Sequence, residues 1–402
     1  MVRPMSPELQ LATACCRYPH GPAAHAAIAA ALASRIDWTE FGSVVQRHRI
    51  SGLAASALCN AAFDVPPETR KRLAQAAHQC ATQDLLHAAE TARLQQIFDD
   101  AGTPAMFLKG ATIGILAYGR LGIKQSWDID LLTTEACMAK ALQVLERSGY
   151  RLVDPVGLPR DALPRFARFY HEAQVRDERG ITVELHWRLF SKPILPGVTG
   201  DSETQVVRIG GREVRTLRED LLIAYMIAHG QEHGWSRLKW LADLNALLAQ
   251  KSEDALMALH TQARAFDLGA KTSTALLLCA RLFDLRLPDH LAVELRQDRI
   301  AERLVEVSLD CIAHPLTGSA MPALSRTKLA LMASRFREGR GWPAVAAELG
   351  SLWTQPITRA RYPAALDFAY HLLRLPILLL RLPLKLNEIR QIKPSAMPGR
   401  ES

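Results

Sequence analysis

The stretch that decides the fold is residues 104–132, PAMFLKGATIGILAYGRLGIKQSWDIDLL. Residues 106–108 form a short apolar run that predicts a strand, and the glycine at 110 breaks it. Residues 111–118 are apolar with helical spacing, and a glycine-containing loop leads from them into a second apolar run. The sequence therefore predicts a strand, a glycine turn, a helix, a loop and a second strand within a compact stretch.

The second strand of this stretch carries two carboxylates. Alternation in a strand points Ile129 to one face and points Asp128 and Asp130 to the other. Like charges this close raise each other's pKa, so the pair favours a bound cation. Oxygen ligands suit Mg²⁺, with Mn²⁺ as an alternative. An Asp-x-Asp met at random is more often an exposed strand end, but the preceding strand, turn and helix favour a site here.

Composition restricts the class of protein. A chain of 402 residues is long enough for two or three domains, and 49% hydrophobic with 22% charged residues is typical of a globular protein. The formal net charge of +8 is compatible with nucleotides, nucleic acid or lipid head groups, without choosing among them. Seven scattered cysteines without a CxxC predict reduced thiols and a cytoplasmic location. We expect neither a signal peptide nor a transmembrane segment.

The pattern along the chain predicts an α+β protein. Residues 1–100 are predicted to be a helical N-terminal region, and the apolar stripe of its longest helix, over 69–99, includes Leu85 and Leu86. Residues 101–216 alternate between helix and strand, with a hairpin formed by 172–175 and 181–187. Residues 217–390 return to helix, and 391–402 are predicted to be a flexible tail.

A third carboxylate on a neighbouring strand would complete a two-metal site. In the predicted strand 181–187, Glu184 shares one face with His186, so Glu184 is the candidate. Three carboxylates holding two metal ions can clamp a nucleoside triphosphate. The Gly110 turn leads into a helix whose first amides can hold a phosphate, and Lys109 can add a positive charge. Taken singly, Glu184 is more often an exposed strand residue, and a Lys-Gly turn is common in loops.

The order LKGA at 108–111, DIDLL at 128–132 and VELHWRL at 183–189 resembles the uncharacterised nucleotidyltransferase family of the DNA polymerase β-like superfamily. Members of that family occur beside polysaccharide and lasso-peptide biosynthesis genes. The resemblance extends over about residues 30–390 and is most specific in the centre. It implies a minimal nucleotidyltransferase core, a small mixed sheet with helices, at residues 101–216, flanked by the two helical regions.

The resemblance also implies roles for single residues. Asp128, Asp130 and Glu184 would be the catalytic residues and the metal ligands. The residues implied to bind nucleotide or substrate are Lys109, Gly110, Ala111, Lys124, Ser126, His186 and Lys239. Two positions depart from the family pattern. The usual Gly-Ser turn is Gly110-Ala111 here, which removes a hydroxyl, and Lys124 stands where relatives have an arginine, which keeps the charge but loses the bidentate fork.

Lys239 and Asp243 leave two interpretations open. They stand one helical turn apart, so they either contact the nucleotide or form an ion pair on a solvated helix face. The leucine-, arginine- and proline-rich segment at 366–392 also has two interpretations. Packing over the helices is favoured over peripheral contact with the inner membrane surface.

The resulting hypothesis is a Mg²⁺-dependent nucleotidyltransferase. It would move a nucleoside monophosphate from an NTP, ATP included, to an unidentified acceptor such as a peptide, a sugar or RNA, with release of pyrophosphate. The alternative hypothesis is a catalytically silent nucleotide-binding regulatory protein, in an envelope-glycan or peptide-modification system.

Overall fold

The computed structural model describes residues 5–59 and 63–314, together with short pieces at 330–334, 345–346, 349–350, 359–360, 369–370 and 372. Most of the predicted membrane-contact segment at 366–392, and the whole predicted tail at 391–402, lie outside the described residues. Among the helices within these ranges, none combines the length and the apolar character that crossing a membrane requires.

Helices open the described chain, as predicted. They are α1 (Pro7–Cys15), α2 (Pro22–Leu32), α3 (Trp38–His48), α4 (Ser51–Leu58) and α5 (Pro67–Asp100). The side chain of Asp37 caps α3 by accepting from the backbone N–H groups of Thr39 and Glu40, at 2.9 and 3.1 Å. This cap explains why α3 begins directly after the aspartate.

The predicted apolar stripe of α5 is wrong in its middle. Leu85 and Leu86 are more than half exposed, whereas Asp84 and His87 are buried. The physical reason is that the buried side of α5 makes a polar contact. The Asp84 carboxylate accepts a hydrogen bond of 2.7 Å from the backbone N–H of Gly122. A polar residue with such a partner can occupy a buried helix face, and a stripe counted from apolar residues alone cannot detect it.

A small mixed sheet forms the centre of the molecule. Its elements in chain order are β1 (Met106–Phe107), α6 (Ala111–Tyr118), β2 (Ile129–Leu132), α7 (Met138–Arg147), β3 (Arg151–Asp154), α8 (Leu163–Ala167), β4 (Glu172–Arg176) and β5 (Thr182–His186). The strand order is β1-β2-β5-β4-β3, in which β2 and β5 are parallel and the other neighbours are antiparallel. The predicted β4–β5 hairpin and the α+β fold class are confirmed.

A second, two-stranded sheet was not predicted. It consists of β6 (Thr204–Ile209) and β7 (Arg212–Leu217), joined by Gly210 and Gly211. Both glycines have positive φ, at 59° and 81°, as a tight hairpin turn requires. Two alternating runs on either side of a Gly-Gly pair are the signal that would have predicted this hairpin.

Helices complete the described chain, and they are α9 (Glu219–Glu232), α10 (Leu238–Leu248), α11 (Glu253–Ala265), α12 (Gly269–Phe283), α13 (Asp289–Gln297) and α14 (Arg299–Ala313). One apolar core joins these helices to α1–α4, and a second core surrounds the central sheet. The N- and C-terminal helices therefore share a core, on which one side of the sheet rests. The domain boundaries at 100, 216 and 390 stay predictions.

Candidate active site

Parallel pairing of β2 and β5 brings two of the predicted carboxylates side by side. In the register of these strands Asp130 is opposite Glu184. Asp128 directly precedes β2, and all three residues line one cleft. The Asp130 side chain is only 1% exposed, whereas Asp128 and Glu184 are half-buried. The structure thus collects the three carboxylates that the sequence singled out, while their catalytic and metal-binding roles stay predictions.

Lys109 lies against the most buried of these carboxylates. Its Nζ is 2.7 Å from Asp130 Oδ1 and 5.8 Å from the centre of the Tyr225 ring. Burial by itself would raise the pKa of Asp130, but Lys109 and then His186 hold that pKa well below its ordinary value. Lys109 is therefore the counter-ion of Asp130 in this state, and it does not point freely toward the Gly110 turn.

Glu184 has the opposite electrostatic environment. Burial, followed by the negative charges of Asp130 and Asp128, raises the pKa of its carboxyl to about 8. Gln174 Nε2 donates a hydrogen bond of 3.0 Å to Glu184 Oε1. Because the three carboxylates are short of positive charge, a divalent cation would relieve their repulsion. The donor set fits a metal ion for this reason.

His186 completes a potential metal-binding group with Asp130 and Glu184. Ligand atoms of Asp130, Glu184 and His186 lie within 4.8 Å of one another, so this group could hold a metal ion, whose identity the geometry does not define. Asp128 lines the cleft beside the group without belonging to it. His186 Nε2 is 3.4 Å from Asp130 Oδ1, and its Nδ1 is 3.3 Å from Glu172 Oε2.

Glu172 and its neighbour His171 were missed by sequence reasoning. Glu172 pairs with His186 across the β4–β5 hairpin, so the predicted hairpin register was the signal that could have found it. His186 and then His171 counteract the effect of burial and lower the pKa of Glu172 to about 2. The carboxylate is therefore ionised at neutral pH, next to the predicted site.

Cations line the opposite wall of the cleft. Lys124 Nζ is 2.7 Å from Asp243 Oδ2, and the Tyr118 hydroxyl donates to Asp243 Oδ1 at 2.8 Å. Asp243 is buried and pairs with Lys124, so the interpretation of Lys239 and Asp243 as an ion pair on a solvated face is wrong. The physical reason is that α10 packs on α6, which places this face of α10 inside the molecule.

Lys239 reaches the cleft with little compensation for its charge. Its Nζ donates to the backbone carbonyl of Gln125 over 3.4 Å. Burial, then Lys124 and Arg49, lower the pKa of Lys239 well below its ordinary value. Arg49, which sequence reasoning missed, ends α3 with a φ of 55° and places its guanidinium 4.4 Å from the centre of the Trp127 ring. This wall is short of negative charge.

The predicted phosphate turn has a geometry that only glycine adopts readily. Gly110 precedes α6 with a φ of 76°, and Ala111 is the first residue of that helix. The buried hydroxyl of Ser126 has no hydrogen-bond partner within the described part of the chain. Its Oγ is 3.8 Å from where a Cβ on Gly110 would lie. A hydroxyl therefore lies next to the turn even though residue 111 lacks one.

A sheet that carries carboxylates on adjacent strands, facing lysines across a cleft, is the arrangement expected for a nucleotidyltransferase. The chain belongs to the family described as uncharacterised nucleotidyltransferase, which matches residues 34–284. This membership confirms the resemblance noted in the sequence and supports nucleotidyl transfer as the general activity.

Two further comparisons add little. The crystal structure of an antigenic nucleotidyltransferase-like protein from Paracoccidioides brasiliensis is similar at 16% identity and a TM-score of 0.31, covering 52% of this chain and 95% of that chain. A similarity at that TM-score carries no argument about the site. No curated protein matches the chain.

Proposed function

We propose that the protein is a Mg²⁺-dependent nucleotidyltransferase that moves a nucleoside monophosphate from an NTP, ATP included, to an acceptor and releases pyrophosphate. The observation that carries this proposal is a cleft with two walls of opposite charge. Asp128, Asp130 and Glu184 line the cleft from the side of the sheet, and Lys124 and Lys239 line it from outside the sheet. The cleft opens where residues 101–216 meet the helices that follow residue 217, which supports the proposed division into a core and a helical domain.

The lysine wall supports a triphosphate as ligand. Burial, and then the cations Lys124 and Arg49, lower the pKa of Lys239. A phosphate oxygen placed between these groups would supply the missing negative charge and would hold the cationic form of Lys239. Gly110 and the first amides of α6 would hold a second phosphate group, assisted by the Ser126 hydroxyl.

The carboxylate wall supports a divalent metal. Asp128, Asp130 and Glu184 would hold it, and Mg²⁺ or Mn²⁺ suits their oxygen atoms. When bound, such an ion would polarise the phosphates and stabilise the charge on the departing pyrophosphate. Lys109 Nζ and His186 Nε2 both lie close to Asp130 Oδ1, at 2.7 and 3.4 Å.

The proposed transfer exchanges one phosphorus–oxygen bond for another. A hydroxyl oxygen of the acceptor forms a bond to the α-phosphorus, and the bond from that phosphorus to the bridging oxygen of pyrophosphate breaks. The hydroxyl proton would pass to the Glu184 carboxylate, which is ionised when a metal ion is bound beside it. Glu184 thus orients and deprotonates the acceptor.

The acceptor remains a class rather than a molecule. Peptides, sugars and RNA all carry a hydroxyl or phosphate that fits the proposed step, and the net charge of +8 favours an anionic partner. A cytoplasmic location is the proposal that accompanies this activity.

The test follows label from each of the four α-³²P NTPs, with Mg²⁺ or Mn²⁺, into a lysate of the native host. Wild-type protein should label one class of molecule, and Asp128→Asn or Asp130→Asn should abolish the labelling. Asp100→Asn is the matched control, because Asp100 is exposed at the end of α5, and it should label as wild type does. Full labelling by both the Asp128→Asn and the Asp130→Asn variants would refute the proposal.

Two observations favour the alternative, a silent nucleotide-binding regulatory protein. The Asp130 oxygen that would face a metal is in contact with Lys109, and residue 111 lacks the hydroxyl of the usual turn. Calorimetric ATP binding by wild type, without label transfer from any NTP, would establish that alternative. Binding together with transfer would exclude it.

A further inference from the structure

A second group of metal-ligand side chains lies next to the proposed active site. It consists of His171, Glu172 and His186. His171 immediately precedes β4, Glu172 begins that strand, and His186 ends β5. Because Glu172 and His186 are paired residues of the hairpin, the sheet fixes their separation.

Two of the three separations in this group match those of ligands around one ion. His171 Nε2 and His186 Nδ1 each lie 3.3 Å from Glu172 Oε2, and the three ligand atoms lie within 4.8 Å of one another. In a tetrahedral zinc site, bonds of about 2.0–2.1 Å place two donors about 3.3 Å apart. Both distances to the carboxylate oxygen therefore equal the expected edge of a zinc tetrahedron.

His186 points to a ligand independently of this spacing. Its side chain is only 4% exposed, and neither ring nitrogen makes a hydrogen bond within the described part of the chain. Its Nδ1 is directed at Glu172 Oε2 and its Nε2 at Asp130 Oδ1, at 3.3 and 3.4 Å. A buried imidazole whose nitrogens both face carboxylates without a well-aligned hydrogen bond lacks the partner that a metal ion would supply.

The outer contacts also suit metal ligands. A metal-bound histidine usually gives its other ring nitrogen to a carboxylate or another oxygen. His171 Nδ1 lies 2.7 Å from the Ser191 hydroxyl, which leaves Nε2 for the ion. His186 Nε2 faces Asp130, which leaves Nδ1. The side chains of His171 and Glu172 are 18% and 17% exposed, so the group remains open to an ion and a water molecule from one side.

We propose that His171 Nε2, the Glu172 carboxylate and His186 Nδ1 form a binding site for one divalent transition-metal ion of the Zn²⁺ type, with water as the fourth ligand. Two imidazole nitrogens and one carboxylate select such an ion over Mg²⁺, which prefers oxygen. The site shares His186 with the Asp130 group, but its three ligands lie outside the lining of the proposed nucleotide cleft, and it does not depend on nucleotidyl transfer. An ion on Nδ1 keeps the hydrogen on Nε2 and so fixes the His186 ring against Asp130.

The experiment uses Co²⁺ as the probe, on the full chain after removal of metals by dialysis. Wild-type protein should bind Co²⁺ with the visible absorption of tetrahedral coordination, and Zn²⁺ should displace it. His171→Gln and Glu172→Gln should each weaken Co²⁺ binding by more than about 100-fold, because loss of even an outer partner of a metal site costs 10–100-fold. Circular dichroism and thermal melting would verify that the variants fold.

Two controls separate this site from its surroundings. Glu184→Gln removes a ligand of the neighbouring Asp130 group and reports whether the ion belongs to that group, whereas His290→Gln on the surface should leave Co²⁺ binding unchanged. The proposal is overturned if wild type shows no tetrahedral Co²⁺ spectrum or if His171→Gln binds as wild type does. It is equally overturned if Glu184→Gln abolishes binding while His171→Gln retains it, since the ion then belongs to the other group.

Discussion

Replacing Lys109 by methionine tests the electrostatic design of the cleft. Methionine keeps an unbranched side chain but removes the ammonium group 2.7 Å from Asp130 Oδ1. Removal of one partner of a buried ion pair costs about 3–5 kcal/mol, because the other charge stays buried and unpaired. The Lys109 side chain is 19% exposed, so we take the lower end and expect a loss of about 3 kcal/mol in the free energy of unfolding.

The same variant should respond more strongly to a divalent metal. In wild type an ion at Asp130 has to compete with the Lys109 ammonium, whereas in Lys109→Met it replaces the missing positive charge. An ion present at about 100 times its dissociation constant stabilises the folded state by about 2.7 kcal/mol. We therefore expect Mn²⁺ to restore most of the lost stability of Lys109→Met.

The assay is urea unfolding at pH 7 followed by tryptophan fluorescence, with and without Mn²⁺. Lys124→Met is the matched control, since Lys124 forms a buried ion pair of the same 2.7 Å length with Asp243. That variant should also lose stability, but Mn²⁺ should not restore it, because Asp243 belongs to no potential metal-binding group of the described residues.

Two results would refute this reasoning. The first is a Lys109→Met protein as stable as wild type in metal-free buffer, which would mean that the ion pair contributes nothing. The second is equal stabilisation of wild type and Lys109→Met by Mn²⁺, which would mean that the ion and Lys109 do not compete for Asp130.

Three further predictions concern stability and nucleotide binding. Glu184 keeps its proton up to about pH 8 in the folded state but loses it near pH 4.5 in the unfolded chain. In urea titrations in metal-free buffer, wild type should therefore lose stability between pH 5 and 8 more steeply than Glu184→Gln does. Equal slopes for the two proteins would contradict the prediction. Ser126→Ala should weaken ATP binding roughly tenfold by calorimetry, since a hydrogen bond to a charged group contributes about 1.5 kcal/mol, and adding Ala111→Ser should recover part of the affinity; an unchanged ATP affinity of Ser126→Ala would exclude this role. Gly230→Ala places a Cβ 2.2 Å from the buried Trp235 ring and should cost about 2 kcal/mol or more, seen as a lower Tm; an unchanged Tm would show that the ring can move aside.

The sequence predicted those features of the site that depend on the local pattern of residues along one strand. Alternation placed Asp128 and Asp130 on one face of their strand and Glu184 with His186 on one face of theirs, and the sheet then brought Asp128, Asp130 and Glu184 to one cleft. The parallel register of Asp130 with Glu184 was outside that reasoning, because a parallel pair is set by the packing of the intervening segments rather than by a turn.

The ion pairs of the cleft could not be predicted for a different physical reason. Lys124 and Asp243 are 119 residues apart, and their contact depends on how α10 packs against α6. Lys109 was expected at the phosphate turn because it is next to Gly110. Its ammonium group instead lies against the carboxylate of Asp130. Sequence spacing identifies a charged residue, whereas its partner is chosen by the tertiary fold and by what occupies the cleft.

One wall of the cleft lacks positive charge, and the other wall lacks negative charge. Burial and the neighbouring carboxylates Asp130 and Asp128 raise the pKa of Glu184, and burial and the neighbouring cations Lys124 and Arg49 lower the pKa of Lys239. The two walls do not neutralise each other, because Lys109 is already paired with Asp130 and Lys124 is already paired with Asp243. A metal ion alone would satisfy the first wall, and a polyphosphate alone would satisfy the second. A metal–triphosphate complex satisfies both at once, which is why the charge pattern favours an NTP over a simple anion or a free cation.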